Sequence, residues 1–181
     1  MRCAFLFALL VASAAALGAP GNENSLQHDW KQEQSEGGIE LVSNHPAPAA
    51  YSESGEPEAT LAMEAEKAAK DATLPKILES EIADIREGLM IGDYLEEDGH
   101  KPDHGIVSYI EEIDGHPVGF IKYRVVGANG SQLDHPRTVI HAILLKNGKV
   151  YLFHLIVLYA GHQDEVRGDQ MRLVKAIIKK G

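Results

Sequence analysis

The chain has 181 residues, with 27 acidic and 17 basic side chains and a formal net charge of −10 when the histidines are neutral. The acidity is uneven, since residues 19–105 carry 20 acidic and 6 basic side chains whereas residues 106–181 carry 7 and 10. A nucleic-acid-binding face needs clustered Lys and Arg to replace the counterions around phosphates. This composition therefore argues against nucleic acid as a partner.

The N-terminus has the layout of a secretory signal peptide, in which Arg2 precedes an uncharged apolar stretch at residues 3–17 and small residues follow. A membrane-spanning helix needs about 20 strongly apolar residues, and this stretch is shorter. We therefore predict a signal peptide at residues 1–18, cut after Gly18, and no stable membrane anchor. The mature protein is then expected to be exported, either to a bacterial periplasm or as a secreted protein.

Cys3 is the only cysteine and lies inside the predicted signal peptide, so the mature protein has no disulfide and needs an ordinary hydrophobic core. Residues 19–58 are mostly polar or small, and they predict an acidic flexible arm because they bury too little apolar surface to offset their ordering entropy. Within this arm, residues 39–42 can add a short strand to the sheet and Trp30 can dock against the domain.

Three helices are predicted. Residues 59–72 are strong helix formers, and Pro75 suits the first turn of a second helix, where its missing N–H is not needed. Apolar residues then recur at helical spacing along one face, at Ile77, Leu78, Ile82, Ile85 and Leu89. The last helix covers residues 164–180, and its predicted inner face carries Val166, Leu173, Val174, Ile177 and Ile178.

Four segments predict β-strands, at residues 106–113, 118–126, 138–146 and 149–159. The first pair flanks Asp114-Gly115 and the second flanks Asn147-Gly148, which are strong signals for two-residue hairpin turns. Counting outward from the second turn places His141 opposite His154. Both faces of this hairpin are apolar, so we expect both to be covered by helices. The prediction is an α+β fold: a four-stranded antiparallel meander between amphipathic helices, in three α/β/α layers, forming a single domain at residues 59–181.

Several short segments resemble a known fold family. They are Ile-Asp-Gly-His-Pro at residues 113–117, the aromatic-rich strand after it, Lys-Asn-Gly-Lys-Val-Tyr at 146–151 and the helix end Ala-Ile-Ile-Lys at 176–179. Over about residues 75–181 the chain resembles the Mog1/PsbP-like fold. That resemblance implies a binding protein, because members serve as photosystem accessory subunits, transport-factor partners and secreted modules; it assigns no site residue. A cystatin-like helix on a four-stranded sheet is the alternative fold.

Two groups of residues are candidate metal ligands. His141 and His154 face each other across two strands and could hold zinc, although such a site normally needs three or four protein ligands. His100, Asp103 and His104 share a loop before the first predicted strand, and exposed loops are where function is concentrated. For both groups a purely structural role is the better supported interpretation. The two facing histidines are then a cross-strand polar pair, and the loop residues belong to an ordinary turn.

No catalytic residue is assigned from the sequence, because the mature chain has no cysteine nucleophile and no Gly-x-Ser-x-Gly motif. The leading hypothesis is an exported, non-enzymatic binding or accessory module with a protein partner and no resident cofactor. One alternative is a metal-dependent or His-assisted hydrolase. Another is a weak envelope metal-binding protein that uses its nine histidines in general.

Overall fold

The computed structural model describes residues 25–34, 38–52, 55–89, 94–95, 105–128 and 131–180. The predicted signal peptide and the loop that carries His100, Asp103 and His104 lie outside these residues. The described part contains eight strands and two α-helices. The strands are β1 (Trp30–Gln34), β2 (Gly38–Ser43), β3 (Ala59–Lys67), β4 (Tyr94–Leu95), β5 (Val107–Ile113), β6 (His116–Ala128), β7 (Ser131–Lys146) and β8 (Lys149–Val157), and the helices are α1 (Leu74–Leu89) and α2 (Gln163–Lys179).

All eight strands belong to one antiparallel sheet with the order β1-β2-β3-β8-β7-β6-β4, and β5 also pairs with β6. The two helices lie on opposite faces. Helix α1 buries Leu74, Leu78 and Ile85 against one face, and α2 buries Val166 and Val174 against the other. The α+β class and the three layers are therefore as predicted, whereas the count of four strands is wrong, because the meander β5 to β8 is only half of the sheet.

The two predicted hairpin turns are present. Asp114 and Gly115 have φ values of 48° and 77°, and Asn147 and Gly148 have 51° and 69°. Positive φ at both central positions is the requirement of a type I′ turn. The second turn fixes the register of β7 and β8 as predicted. Lys146 lies opposite Lys149, and the pairing continues without a shift as far as Thr138 opposite Val157.

The predicted helix at residues 59–72 is wrong, because β3 occupies Ala59–Lys67 between β2 and β8. Its residues have high helix propensity, but Ala59, Leu61 and Met63 alternate with less buried neighbours at a period of two. Those alternate side chains enter the α2-side core. Tertiary packing on two flanking strands has overridden intrinsic propensity.

The prediction of a flexible arm at residues 19–58 is also wrong for residues 25–34 and 38–52. Strands β1 and β2 form a hairpin that extends the sheet, so the strand suggested at residues 39–42 is confirmed. Ile39 and Leu41 are buried in the α2-side core, and Trp30 packs against it. Pairing with β3 satisfies the backbone of a segment whose own apolar content is low.

Helix α2 is tied to the sheet by polar contacts as well as by its apolar face. Nε2 of the buried Gln170 donates to the carbonyl oxygens of Ile140 and Phe153, at 2.9 and 3.0 Å. At the other end of the helix, Nζ of Lys146 donates to the carbonyl of Ile177 at 3.0 Å. A 3₁₀ turn, Ala160–His162, leads from β8 into α2 and holds His162 beside the end of the sheet. No helix in the described ranges is long and apolar enough to cross a membrane.

Candidate metal centre

Four segments of the chain meet at the end of the sheet where α2 begins. His28 lies just before β1, His45 follows β2, Glu58 precedes β3 and His162 lies at the start of α2. Neighbouring antiparallel strands bring the end of one strand to the start of the next. This topology brings together three imidazoles and one carboxyl group, and the first and last of these residues, His28 and His162, are 134 positions apart in the sequence.

Glu58 lies at the centre of the cluster and is only 3% exposed. Nδ1 of His162 lies 3.0 and 3.2 Å from its two carboxyl oxygens, and Nε2 of His28 lies 3.3 Å from Oε1. The backbone of Glu58 is fixed on both sides, since its N–H donates to the carbonyl of His45 and its own carbonyl accepts from the N–H of Leu158. The carboxyl group is thus held in place before any ligand arrives.

His28 is fixed by contacts to its backbone and to both ring nitrogens. Its N–H donates to Oδ2 of Asp169 at 2.8 Å. Nε2 lies 2.7 Å from Oγ of Ser43, and Nδ1 lies 3.7 Å from Oε2 of Glu165. A carboxylate beside the second ring nitrogen is the arrangement that commonly orients a metal-binding histidine.

Asp169 anchors the segment that carries His28. It is fully buried in α2 and accepts from the N–H groups of Gln27 and His28, from Nε1 of Trp30 and from Nη1 of Arg172, with shortest distances of 2.8–2.9 Å. These bonds join the start of the described chain to a helix near its end. The position of His28 therefore depends on α2, as the position of His162 does.

The geometry of His28, Glu58 and His162 suits a transition-metal ion. A tetrahedral ion with bonds of about 2.0–2.2 Å keeps its ligand atoms about 3.4 Å apart. Glu58 lies 3.3 Å from the His28 ring nitrogen and 3.0 Å from that of His162, and the potential ligand atoms of the three residues all lie within 4.8 Å of one another. Across the described ranges, this is the one group of three such side chains that converges in this way.

His45 forms an exposed rim to the same cluster. Its ring centroid is 5.3 Å from that of His28 and 5.9 Å from that of His162. Its ring is not part of the converging set of His28, Glu58 and His162 in the described structure. The cluster thus offers two imidazoles and a carboxylate, with a further imidazole beside them.

The predicted pair His141 and His154 is present but lies in a different setting. The two rings face each other with centroids 4.4 Å apart, beneath α1. Helix α1 brings Oε1 of Glu81 to 3.0 Å from Nδ1 of His141, and the Tyr123 hydroxyl lies 3.4 Å from Nε2. Within the described residues these groups do not gather their ligand atoms into a metal-sized set.

The electrostatics of this second cluster follow from burial. Burial lowers the pKa of His154 to about 4, with a further lowering by His141 and a smaller opposing effect of Glu81. The side-chain interaction with His141 lowers the pKa of Glu81, against the opposing effect of burial. At neutral pH His154 is therefore an uncharged imidazole under α1, which fits a structural role.

Sequence reasoning missed His28, Glu58 and His162 as a set. His28 and Glu58 fell within the predicted arm, and no spacing on a shared helix or strand links them to His162. The one available signal was that the arm contains histidines and the strand-like residues 39–42. The predicted set at His100, Asp103 and His104 lies outside the described residues.

No protein-family profile matches the chain, and no curated protein matches its sequence. Similar solved structures include PsbP from the cyanobacterium Synechocystis sp. PCC 6803, with 13% identity and a TM-score of 0.46, covering 89% of this chain and 97% of that one. LpqN of Mycobacterium tuberculosis, a protein involved in cell envelope biogenesis, has 17% identity and a TM-score of 0.48, covering 83% and 80%. The Ran-binding protein Mog1p of Saccharomyces cerevisiae has 8% identity and a TM-score of 0.36, covering 84% and 90%.

The similar structures thus include both a PsbP and a Mog1 protein, so the predicted Mog1/PsbP-like resemblance is confirmed at the level of the fold alone. The class that the structure defines is an α+β domain with a large antiparallel sheet and a helix on each face. At these identities no functional residue transfers to this chain.

Proposed function

We propose that this protein is an exported, non-enzymatic accessory module that binds one zinc-class divalent ion through His28, Glu58 and His162. The observation that carries the proposal is the buried carboxyl group of Glu58 with an imidazole nitrogen within 3.3 Å on each of two sides. Burying a carboxylate is costly unless partners compensate it, and a metal ion is a strong partner.

The donor set favours zinc or a neighbouring transition metal over calcium or magnesium. Calcium and magnesium prefer six or more oxygen ligands, including water, whereas two imidazoles and one carboxylate are common zinc ligands. His162 is nearly half exposed, with 48% of its side chain accessible, so an ion can enter from that side. Export and a protein partner remain part of the proposal, and they rest on the signal-like N-terminus and on the lack of a recognisable catalytic set in the sequence.

Isothermal titration calorimetry of the purified chain with ZnCl2 tests this proposal. We expect one ion per chain, and we expect His162→Gln to lower the affinity by at least about tenfold, because it removes a ligand from an otherwise unchanged site. Glu58→Gln should weaken binding at least as much. His162 is a suitable first target because it is exposed and its loss should not unfold the domain.

His116→Gln is the matched control, since His116 lies at the start of β6, outside the cluster. Unchanged affinity in His162→Gln would overturn the proposed site. Binding of several ions, equally reduced by any histidine substitution, would favour general weak metal binding by the nine histidines instead.

A metal-dependent hydrolase is the second candidate, and a specific observation favours it. Three protein ligands leave a tetrahedral ion one open position, which is the arrangement of zinc ions that activate water. Glu165 and His45 lie beside that centre as potential acid–base groups. Zinc-dependent hydrolysis of 4-nitrophenyl acetate that is lost in both His162→Gln and Glu165→Gln would support this candidate, and hydrolysis unaffected by either would exclude it.

A further inference from the structure

A cavity lies on the side of the sheet that α1 covers, and we propose that it binds a small organic cation with an apolar body, such as a protonated alkylamine. The cavity has a volume of about 290 Å³ and lies between α1 and strand β3. It is independent of the candidate metal centre, which lies at the end of the sheet near α2.

The floor of the cavity is apolar and its walls carry carboxyl groups. Ile143, Val150 and Leu152 form the floor from β7 and β8, and Ile77 adds an apolar side chain from α1. The acidic residues stand on both walls: Glu64 and Glu66 on β3 and Glu81 on α1.

Strand register explains why the two acidic residues of β3 flank the apolar floor. Glu64 is the Cα partner of Leu152, and Glu66 is the partner of Val150, so each pair shares the sheet face that α1 covers. Helix α1 packs over β6 and β7 rather than over β3. The face near β3 is therefore left as an open cleft with carboxyl groups along one side.

No ion pair within the described part of the chain balances the charge of the two β3 carboxyl groups. The lowered pKa of Glu81 keeps it ionised at neutral pH. A cation entering the cleft therefore meets three carboxylates, and within the described residues two of them, Glu64 and Glu66, form no ion pair.

A buried nitrogen without a hydrogen-bond partner among the described residues lies two residues along β8 from Leu152, which lines the cleft. His154 follows Leu152 on the same face of β8, and its Nε2 is buried with no hydrogen-bond partner in the described part of the chain. A buried polar atom without a hydrogen-bond partner is energetically unfavourable.

Size and chemistry together narrow the ligand class. Ligand pockets generally range from about 300 to 1,000 Å³, so this cleft, at about 290 Å³, is just below that range and suits only a small ligand. Its carboxylates disfavour anions, and their ligand atoms do not converge as a metal site would, within the described residues. A primary ammonium group on a short hydrocarbon chain satisfies both the acidic wall and the apolar floor.

The test is a titration of the ¹⁵N-labelled protein with hexylamine at pH 7, without added metal, monitored by amide chemical shifts. Hexanol and hexanoate, which have chains of similar length without the positive charge, are the matched probes. We expect hexylamine to shift amides at residues 64–66, 77–81 and 150–152, and to bind at least about tenfold more tightly than hexanol, which corresponds to about 1.4 kcal/mol.

The double variant Glu64→Gln/Glu66→Gln should lower hexylamine affinity by about tenfold. Glu111→Gln/Glu112→Gln is the control, because it removes the same charge from exposed positions on β5, which does not line the cleft. Equal binding of hexanol and hexylamine, shifts confined to other residues, or equal losses in both double variants would each overturn the proposal. None of these results depends on whether zinc binds at His28, Glu58 and His162.

Discussion

The protein has two histidine clusters whose settings differ. The first, His28, His45 and His162 around Glu58, lies at an open end of the sheet, and the second, His141 and His154, lies beneath α1. In the first cluster a buried carboxyl group is flanked by imidazoles, one of them exposed. In the second, burial keeps the imidazole of His154 uncharged at neutral pH, and the carboxyl group of Glu81 lies 3.0 Å from the ring of His141.

The difference shows that proximity of histidines does not by itself make a metal site. His141 and His154 are closer to each other than any two rings of the first cluster, but in the described structure they gain no converging third ligand atom. The first cluster gains Glu58 as a shared centre because four chain segments end at the same place. What a metal ion needs is a converging donor set and an entry route, and the first cluster has both.

Removing the anchor of the first cluster should have the largest effect. Asp169→Ala leaves several buried donors and Arg172 without their acceptor, and we expect it to destabilise the protein by about 3–5 kcal/mol. Urea unfolding measures this change. Asp164→Ala, an exposed acidic residue in the first turn of the same helix, should cost less than about 1 kcal/mol. Similar losses in both variants would contradict the anchoring role.

The second cluster should make stability depend on pH. His154 has a pKa lowered from 6.5 to about 4, so the unfolded chain takes up its proton at higher pH than the folded protein does. Stability is therefore lost as pH falls from 6.5 to 4, by about 3 kcal/mol in total for this residue. The pKa of Glu81 is also lowered from its usual 4.5, so its contribution is lost only below about that pH.

Urea midpoints measured between pH 7 and pH 4 test this dependence. His154→Gln should flatten most of the slope above pH 4.5, whereas His116→Gln, outside both clusters, should retain it. A slope that persists unchanged in His154→Gln would show that burial under α1 does not control the titration of this group.

A smaller loss of stability is expected where helix α1 packs closely against β6 at Gly119. A Cβ added at Gly119 on β6 would lie 2.8 Å from Cδ2 of Leu78 in α1. Gly119→Ala should therefore destabilise the protein by about 1–2 kcal/mol by displacing the helix. Gly88→Ala, where an added Cβ meets nothing within 4 Å, should be neutral or stabilising. Thermal unfolding of the two variants makes the comparison, and equal melting temperatures would contradict close packing at Gly119.

Local patterns predicted the C-terminal half of the fold well. The Asn147-Gly148 turn fixed the register of β7 and β8, and helical spacing located α1 and α2, because turn chemistry and periodicity are properties of neighbouring residues. The N-terminal half was predicted poorly. Residues 59–67 have helical propensity but form a strand, and β1 and β2 depend on β3 and on Asp169 of α2, which are distant in sequence.

The two histidine clusters also differ in how far the sequence could predict them. The facing of His141 and His154 was predictable because a two-residue turn determines every later pair across a hairpin. The joining of His28, Glu58 and His162 was not, because it depends on where β1, β3 and α2 end relative to one another. A donor set assembled from three distant segments leaves no spacing pattern in the sequence.

The most direct test of the account is a crystal structure of the full protein grown with ZnCl2, with anomalous scattering recorded at the zinc edge. We predict one strong peak within about 2.2 Å of ligand atoms from His28, Glu58 and His162, and none between His141 and His154. A peak between His141 and His154 with none beside Glu58, or no protein-bound peak at all, would contradict the account.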